Sequence, residues 1–117
     1  MINITTATYG WDIENNYIDI SNNLDGIGIE YKMGSFNNYI GNSIQTDLGN
    51  FNKQKGFHLI GGGNNRILCN SFSGNASSTS FGTSEGYYFN GIYDSDVSCN
   101  EASSASKGMV IFAMSND

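Results

Sequence analysis

The chain has 117 residues, a formal net charge of −6 at pH 7, and only 14% charged residues. A chain of this length forms one domain, residues 1–117, with enough material for a buried core. Its 5 Lys and Arg residues form no sequence cluster of the kind that a phosphate-binding surface requires. We therefore predict no nucleic-acid partner and no purely electrostatic attachment to anionic lipid.

The residue composition is typical of a β-rich protein with many turns. Seven Tyr and seven Phe supply a core, while 15 Gly and many Asn supply turns in a chain without proline. Helical periodicity is nearly missing, and several segments alternate with period two. Because short strands are separated by frequent turn signals, we predict an all-β fold, an antiparallel β-sandwich of the jelly-roll or lectin-like kind.

The first predicted elements are two alternating segments, Ile4–Tyr9 and Tyr17–Ser21. They flank a turn-prone insert that carries the only tryptophan, Trp11. The next strand, Ile27–Met33, follows an Asp25-Gly26 turn, a strong short-range hairpin signal. We therefore predict a hairpin between the second and third of these segments, with alternate residues of the third strand on one face.

The second half of the chain predicts one more hairpin, a loop and two strands. The hairpin joins Phe57–Ile60 to Arg66–Cys69 through glycines that tolerate positive φ. The remaining elements are a low-complexity loop at Ser71–Ser84, a strand at Gly86–Tyr93, a polar stretch at Asp94–Ser106 and a final strand at Lys107–Met114. The segment from Tyr9 to Ser21 faintly echoes that from Tyr87 to Ser98, which leaves a duplicated hairpin or chance as alternatives.

The opening segment resembles the sea-urchin-egg-lectin-like domain, the rhamnose-binding lectin type. Ala7-Thr8-Tyr9-Gly10 matches the Ala-x-Tyr-Gly that ends that family's first strand, and Tyr17–Ser21 matches a segment of its cysteine-free relatives. Trp11 replaces the family's Arg, and its Asp-Pro pair and framework cysteines are absent. The resemblance covers the first half of the chain and implies a β-sandwich that binds carbohydrate, with no support for a particular sugar.

A second segment resembles the aegerolysins and related small β-sandwich proteins. Asn70–Phe89 has a Ser- and Gly-rich loop before an aromatic strand, and Gly82–Gly86 is similar to their Gly-Thr-x-Gly region with one extra residue. The tryptophan-rich segment of that family does not follow. This resemblance implies a small membrane-active or toxin-component protein, with a membrane surface as its partner.

Two groups of aromatic and polar residues are candidates for ligand binding. Exposed aromatic rings stack on the apolar faces of sugars, while Asp and Asn bond to sugar hydroxyls. The alternative for Trp11 is a buried core anchor, since Trp is highly buried on average. Adjacent Tyr87 and Tyr88 must point to opposite faces of their strand. The candidates are Tyr9, Trp11, Asp12 and Asn15 in the first group, and Tyr87, Tyr93, Asp94 and Asp96 in the second.

The Cys and His residues and the acidic stretch give no catalytic or metal signature. Cys69 and Cys99 either pair or remain free thiols, and both alternatives stay open. Neither lies in an activating motif, so we expect no Cys–His nucleophile with the lone His58. Residues 94–101 alternate acidic and polar side chains but lack the Gly and Glu of an EF-hand, which leaves a different calcium site as the alternative. We predict no catalytic residue, no cofactor and no metal site.

The resulting functional hypothesis is a non-enzymatic lectin-like module that recognises carbohydrate or a cell-surface glycan. Because such sites are weak singly, we expect a homo-oligomer that adds avidity. The alternatives are the membrane-active protein above and a structural subunit that binds partners through sheet edges. No signal-peptide pattern is found, so the chain is cytosolic, exported by a non-standard route or already processed.

Overall fold

The computed structural model describes residues 1–4, 9–20, 26–46, 53–74, 83–103 and 107–112. These ranges contain thirteen strands and no helix. The strands are β1 (Ile2–Ile4), β2 (Asp12–Glu14), β3 (Tyr17–Asp19), β4 (Ile27–Lys32), β5 (Asn38–Ile40), β6 (Ser43–Gln45), β7 (Lys53–Gly63), β8 (Arg66–Leu68), β9 (Ser71–Ser73), β10 (Thr83–Tyr93), β11 (Asp96–Ser98), β12 (Glu101–Ser103) and β13 (Lys107–Phe112).

The strands form three sheets, and every neighbouring pair runs parallel. The first sheet has the order β1-β4-β7-β10-β13, the second β2-β5-β8-β11 and the third β3-β6-β9-β12. Strands three apart in the chain are therefore neighbours in space. The chain winds as a parallel β-solenoid: β1–β3, β4–β6, β7–β9 and β10–β12 form coils one to four, and β13 begins a fifth. Successive coils are separated by one strand spacing, about 4.8 Å.

The antiparallel β-sandwich predicted from the sequence is wrong, and so are both predicted hairpins. β3 pairs with β6, whereas β4 pairs with β1 and β7, so the strands around Gly26 belong to different sheets. β7 and β8 likewise lie in different sheets. Alternation and turn residues indicate strands and bends, but they do not tell whether the chain folds back or continues around a coil. Asp25 lies outside the described residues.

Other predicted elements are confirmed in part. The strand predicted at Gly86–Tyr93 lies within β10, and β13 covers the described part of Lys107–Met114. The polar stretch at Asp94–Ser106 instead contains β11 and β12. The predicted loop at Ser71–Ser84 begins with β9 and ends inside β10, and residues 75–82 lie outside the described part.

The core is built from columns of apolar side chains that follow the strand register. In the first sheet the buried columns are Ile29–Phe57–Tyr87 and Tyr31–Leu59–Phe89, which the exposed Met109 and Ile111 continue on β13; in the second, Ile13–Tyr39–Ile67–Val97; in the third, Ile18–Ile44–Phe72–Ala102. The rings of Phe57 and Tyr87 stack with centroids 4.9 Å apart. Each such buried side chain contributes roughly 1.5–3 kcal/mol, so stacking of like residues stabilises one coil against the next.

Glycines let the first sheet approach the third. A Cβ placed on Gly28 would lie 2.6 Å from the Ile44 side chain, and one on Gly56 would lie 2.5 Å from the Phe72 ring. These distances are far below ordinary carbon–carbon contact, so a side chain does not fit at either place. The column of glycines therefore sets the thickness of the solenoid at this point.

The bends between sheets repeat in backbone conformation from coil to coil. The first turn joins the first sheet to the second, and the second turn joins the second sheet to the third. The repeated positions have positive φ between 45° and 74°, and Gly62 alone among the described residues has a larger positive value, 96°. The repeated positions are Met33, Gly61 and Gly91 where the first turn starts, Gly10, Phe36, Asn64 and Asp94 near its end, and Asn15, Gly41, Cys69 and Cys99 in the second turn. The left-handed conformation favours Gly and Asn, which explains their abundance in the chain.

Hydrogen-bonded ladders of Asn side chains run through both turns. In the second turn, Asn16, Asn42 and Asn70 each donate to the side-chain oxygen of the Asn one coil further on, at 2.9–3.1 Å. In the first turn, Asn37 donates in the same way to Asn65 at 3.0 Å. The ladders satisfy polar groups that the turns bury.

A disulfide adds a covalent link beside the second-turn ladder. Cys69 and Cys99 occupy the same left-handed position in coils three and four, with Cα atoms 4.4 Å apart. The bond between them decides the alternative that the sequence left open.

The similarity between the segments Tyr9–Ser21 and Tyr87–Ser98 reflects a real repeat, but the structure aligns the two segments differently. Tyr9 forms a bridge with Ser35, and hydrogen bonds step from Phe36 to Gly63 and from Asn64 to Tyr93. Tyr9 therefore corresponds to Tyr93 rather than to Tyr87. The repeat is present in every coil and is not a single duplicated hairpin.

Candidate functional site

The first turn carries a group of exposed aromatic side chains, which we call the aromatic edge. It consists of Tyr9, Trp11, Phe36 and Tyr93, which are 74%, 48%, 59% and 43% exposed. The rings of Tyr9 and Phe36 have centroids 6.5 Å apart. The Tyr93 ring covers Gly63, where any side chain would collide with it. The aromatic edge thus extends from coil one to coil four.

The backbone of the first turn directs these rings outward. Phe36 has a φ of 60°, and Tyr9 and Tyr93 each precede a residue in the same left-handed conformation. Trp11 occupies the position that an Asn of the ladder has in the next coils, and its backbone N–H donates to Oδ1 of Asn37 at 3.0 Å. Its backbone is therefore fixed while its indole stays half-exposed, which excludes the alternative of a core anchor.

A row of polar side chains lies beside the aromatic edge, where the second sheet begins. Asp12 is in register with Asn38 on the next strand, and Asp96 follows two strands further on, beyond Arg66. Asn38 donates from its side-chain amide to Oδ1 of Asp12 at 2.6 Å. We call Asp12, Asn38 and Asp96 the polar row. It offers acceptors and a donor: Asp12 and Asn38 are one strand spacing, about 4.8 Å, apart, and Asp96 lies two spacings beyond Asn38, with Arg66 between them.

The solenoid brings together most of the residues chosen from the sequence. Tyr9, Trp11 and Asp12 come from coil one, and Tyr93, Asp94 and Asp96 come from coil four, about 14 Å away along the same edge. Asp94 is exposed in the first turn. Asn15 is also exposed but lies in the second turn, on the opposite side of the second sheet.

Tyr87 is not available to a ligand at the surface. It is 1% exposed, and its hydroxyl lies 2.7 Å from the backbone oxygen of Asn70 and 3.0 Å from that of Glu101. Burial raises the pKa of this phenol. The neighbouring Tyr88 faces outward, where its ring contacts His58 and the Nζ of Lys55. The outward residue of the pair is therefore Tyr88, not the selected Tyr87.

Sequence reasoning missed Phe36 and Asn38. Neither stands out among the neighbouring polar residues of the sequence. Phe36 occupies the same left-handed turn position as Gly10, Asn64 and Asp94 in the other coils. An alignment of the four segments that end at these residues would have placed the Phe36 ring at an exposed turn. The signal was the repeat, which becomes visible only when all coils are aligned.

No metal site is evident in the part of the chain that the structure describes. There, no three His, Cys, Asp or Glu side chains come close enough to share a metal ion. The acidic residues proposed as an alternative calcium site are separated, because Asp94 lies in the first turn, Asp96 begins β11 and Glu101 begins β12. Within the described ranges the chain also has no helix with the length and apolar character needed to span a bilayer.

Comparisons with known proteins give no family. No protein-family model matches the chain, and neither the curated proteins nor the solved structures give a significant match. The two family resemblances of the sequence therefore stay predictions.

Proposed function

We propose that the aromatic edge and the polar row form a non-enzymatic binding site for a neutral glycan. The observation that carries this proposal is their juxtaposition in coils one, two and four, with Trp11 half-exposed directly before Asp12. Aromatic rings supply flat apolar surfaces, and the adjacent carboxylates and amide supply hydrogen-bond partners for hydroxyl groups.

The shape of the site fits an extended chain of sugars. Tyr9 and Phe36 lie in neighbouring coils, and Tyr93 lies two coils beyond Phe36. A glycan laid along the edge would meet rings and polar groups repeatedly rather than enter one deep pocket. A shallow site of this kind binds weakly by itself, which is why we expect a homo-oligomer to add avidity.

Recognition without catalysis fits this location better than hydrolysis does. Asp12 and Asp96 are exposed, as are the neighbouring aromatic rings. Carboxylates that act as acid and base in catalysis work in sites that exclude water and shift their pKa values. The exposed edge provides no such enclosure.

A membrane surface is the second candidate partner. Phe36 and Met33 are 59% and 69% exposed, and apolar side chains of this kind insert at lipid interfaces. Asp12, Asp94 and Asp96 beside them disfavour an anionic bilayer. A zwitterionic lipid surface is therefore the form of this alternative that an experiment needs to include.

A glycan array run beside a liposome pull-down tests the proposal. Trp11→Ala and Phe36→Ala are expected to weaken glycan binding by about tenfold or more without loss of folding. Tyr17→Ala is the matched control, because Tyr17 is 64% exposed but lies on the third sheet, where its hydroxyl donates to Gln45.

Three results would overturn the proposal. Equal losses in Trp11→Ala and Tyr17→Ala would show that the edge has no special role. Binding to phosphatidylcholine liposomes without binding to any glycan would favour the membrane alternative. Binding to neither probe would overturn the proposal as well and would favour the structural subunit that binds partners through its sheet edges.

A further inference from the structure

The cationic residues of this acidic chain are concentrated on one sheet. Four of its 5 Lys and Arg residues belong to the first sheet: Lys32 in β4, Lys53 and Lys55 in β7, and Lys107 in β13. The fifth, Arg66, lies on the second sheet. Since the whole chain carries a net charge of −6, this distribution makes the first sheet electrostatically unlike the rest of the molecule.

Charged and aromatic side chains form two rows on the outer face of the first sheet. Glu30, His58 and Tyr88 are in register on adjacent strands, each between two buried apolar residues of its own strand. Lys55 and Glu85 form the next row, which Lys107 continues. Cations therefore recur along the coil axis, with Lys55 and Lys107 two strand spacings, about 10 Å, apart.

Lys55 differs from the lysines around it. Lys32 lies 3.0 Å from Glu30, and Lys107 lies 3.3 Å from Glu85. Among the described residues Lys55 has no carboxylate within 4.0 Å, and its Nζ instead lies 4.6 Å from the centroid of the Tyr88 ring. Its charge is therefore available to an anion arriving from solution.

His58 next to it also carries an unsatisfied polar atom. Its Nδ1 is buried without a hydrogen bond, and Oε1 of Glu30 lies 3.4 Å away. Burial and the nearby Lys55 lower the pKa of this imidazole, while Glu30 acts in the opposite direction. An anion bound at Lys55 would offset the positive potential at this place.

We propose that the outer face of the first sheet is a second binding site, for a carboxylate-bearing polysaccharide that runs along the coil axis. Lys55 binds a sugar carboxylate, Lys107 continues the same row two strands away, and the Tyr88 ring next to Lys55 forms the floor. This site lies on a different sheet from the polar row and does not depend on the function proposed for the aromatic edge.

The interleaved carboxylates favour an acidic sugar over other polyanions. Glu30 and Glu85 repel a densely charged phosphate backbone, which needs clustered cations along its whole length. Glu30 is buried against Lys32, so Glu85 is the carboxylate of this face that accepts hydrogen bonds from sugar hydroxyls, whereas the side chains of an acidic peptide offer acceptors only. Alternating cations and carboxylates thus match a chain that carries both carboxylates and hydroxyls.

Calorimetric titration with polygalacturonate at low salt tests the proposal, with neutral dextran and poly-glutamate as reference polymers. We expect binding of polygalacturonate alone, and a loss of about tenfold in Lys55→Gln. Arg66→Gln, which removes the same charge from the second sheet, is expected to bind like the wild type. Circular dichroism establishes that each variant is folded.

The reference variants separate this site from the aromatic edge. Trp11→Ala is expected to retain polygalacturonate binding, whatever happens to its binding of neutral glycans. The proposal is overturned if polygalacturonate does not bind, if poly-glutamate binds equally well, or if Trp11→Ala or Arg66→Gln costs as much as Lys55→Gln.

Discussion

Asn42 and Asn70 hold equivalent places in successive coils, and Oδ1 of Asn70 accepts hydrogen bonds from both the backbone N–H and the side-chain amide of Asn42, at 2.9 and 3.0 Å. Asn70 also donates to the backbone oxygen of Tyr39 at 2.7 Å and to Oδ1 of Asn100 at 2.9 Å. One buried side chain thus connects three coils.

The Asn70→Ala substitution is expected to lower the free energy of unfolding by about 2–4 kcal/mol, because it leaves several buried polar groups without partners. Urea denaturation measures this loss. Asn38→Ala is the control, since its side-chain bond to Asp12 is at the surface and its removal should cost less than about 1 kcal/mol. Comparable losses in the two variants would contradict the role assigned to the ladder.

Two buried tyrosines are expected to respond oppositely to loss of the hydroxyl. The Tyr39 hydroxyl is buried and has no hydrogen-bond partner among the described residues, whereas the Tyr87 hydroxyl lies 2.7 Å from the backbone oxygen of Asn70. Tyr39→Phe should therefore leave stability unchanged or raise it by about 1 kcal/mol, and Tyr87→Phe should lower it by about 1 kcal/mol. Thermal and urea unfolding compare the two, and a larger loss in Tyr39→Phe would refute the assignment.

The disulfide is expected to stabilise coils three and four against unfolding. Cys69 and Cys99 are separated by 30 residues, so loss of the cross-link should lower stability by about 3–4 kcal/mol in the chain-entropy account. Unfolding of the double variant Cys69→Ser/Cys99→Ser measures the effect. Adding a reductant should bring the wild type to the level of the double variant and leave that variant unchanged; a reductant-insensitive wild type would speak against the bond.

His58 is expected to make folding less favourable at acid pH. Its pKa in the folded chain is lowered from the ordinary 6.5, chiefly by burial and then by Lys55. The unfolded chain therefore binds a proton more readily, so the stability present above about pH 6.5 is lost as pH falls toward the lowered pKa. His58→Gln removes this component but retains the contribution of every carboxylate. Unfolding at pH 7.5 and pH 5 should show a smaller acid loss in the variant, and equal losses would exclude the effect.

The strand content could be predicted from the sequence, but the direction of pairing could not. Alternation in Ile27–Met33 indicated a strand, and β4 is confirmed over Ile27–Lys32. Evidence for a solenoid lay in the second-turn asparagines, yet their separations differ, being 26, 28 and 30 residues along the ladder. An irregular period of this kind hides the repeat from any search at fixed spacing.

Part of the candidate site was also accessible to sequence reasoning. Trp11 and Tyr93 were selected for their polar surroundings, and the structure places both at the surface. Their position on a common edge follows from the stacking of coils, which no local pattern encodes. Alternation required one of Tyr87 and Tyr88 to face outward but could not tell which; Gly86 and Tyr87 are both buried in β10, so the selection of Tyr87 was wrong and the outward residue is Tyr88.

The equal spacing of the two turns has a consequence for how this chain can change in length. The distance in sequence from Ile29 to Asn37 equals that from Phe57 to Asn65, so joining Asn37 directly to Arg66 would remove one whole coil and restore the same sequence of bends. From the second coil onward, differences in coil length fall in the connection that leads from the third sheet back to the first. The natural unit of growth is therefore a complete revolution of the backbone, and insertions within that connection leave every rung of both ladders in place.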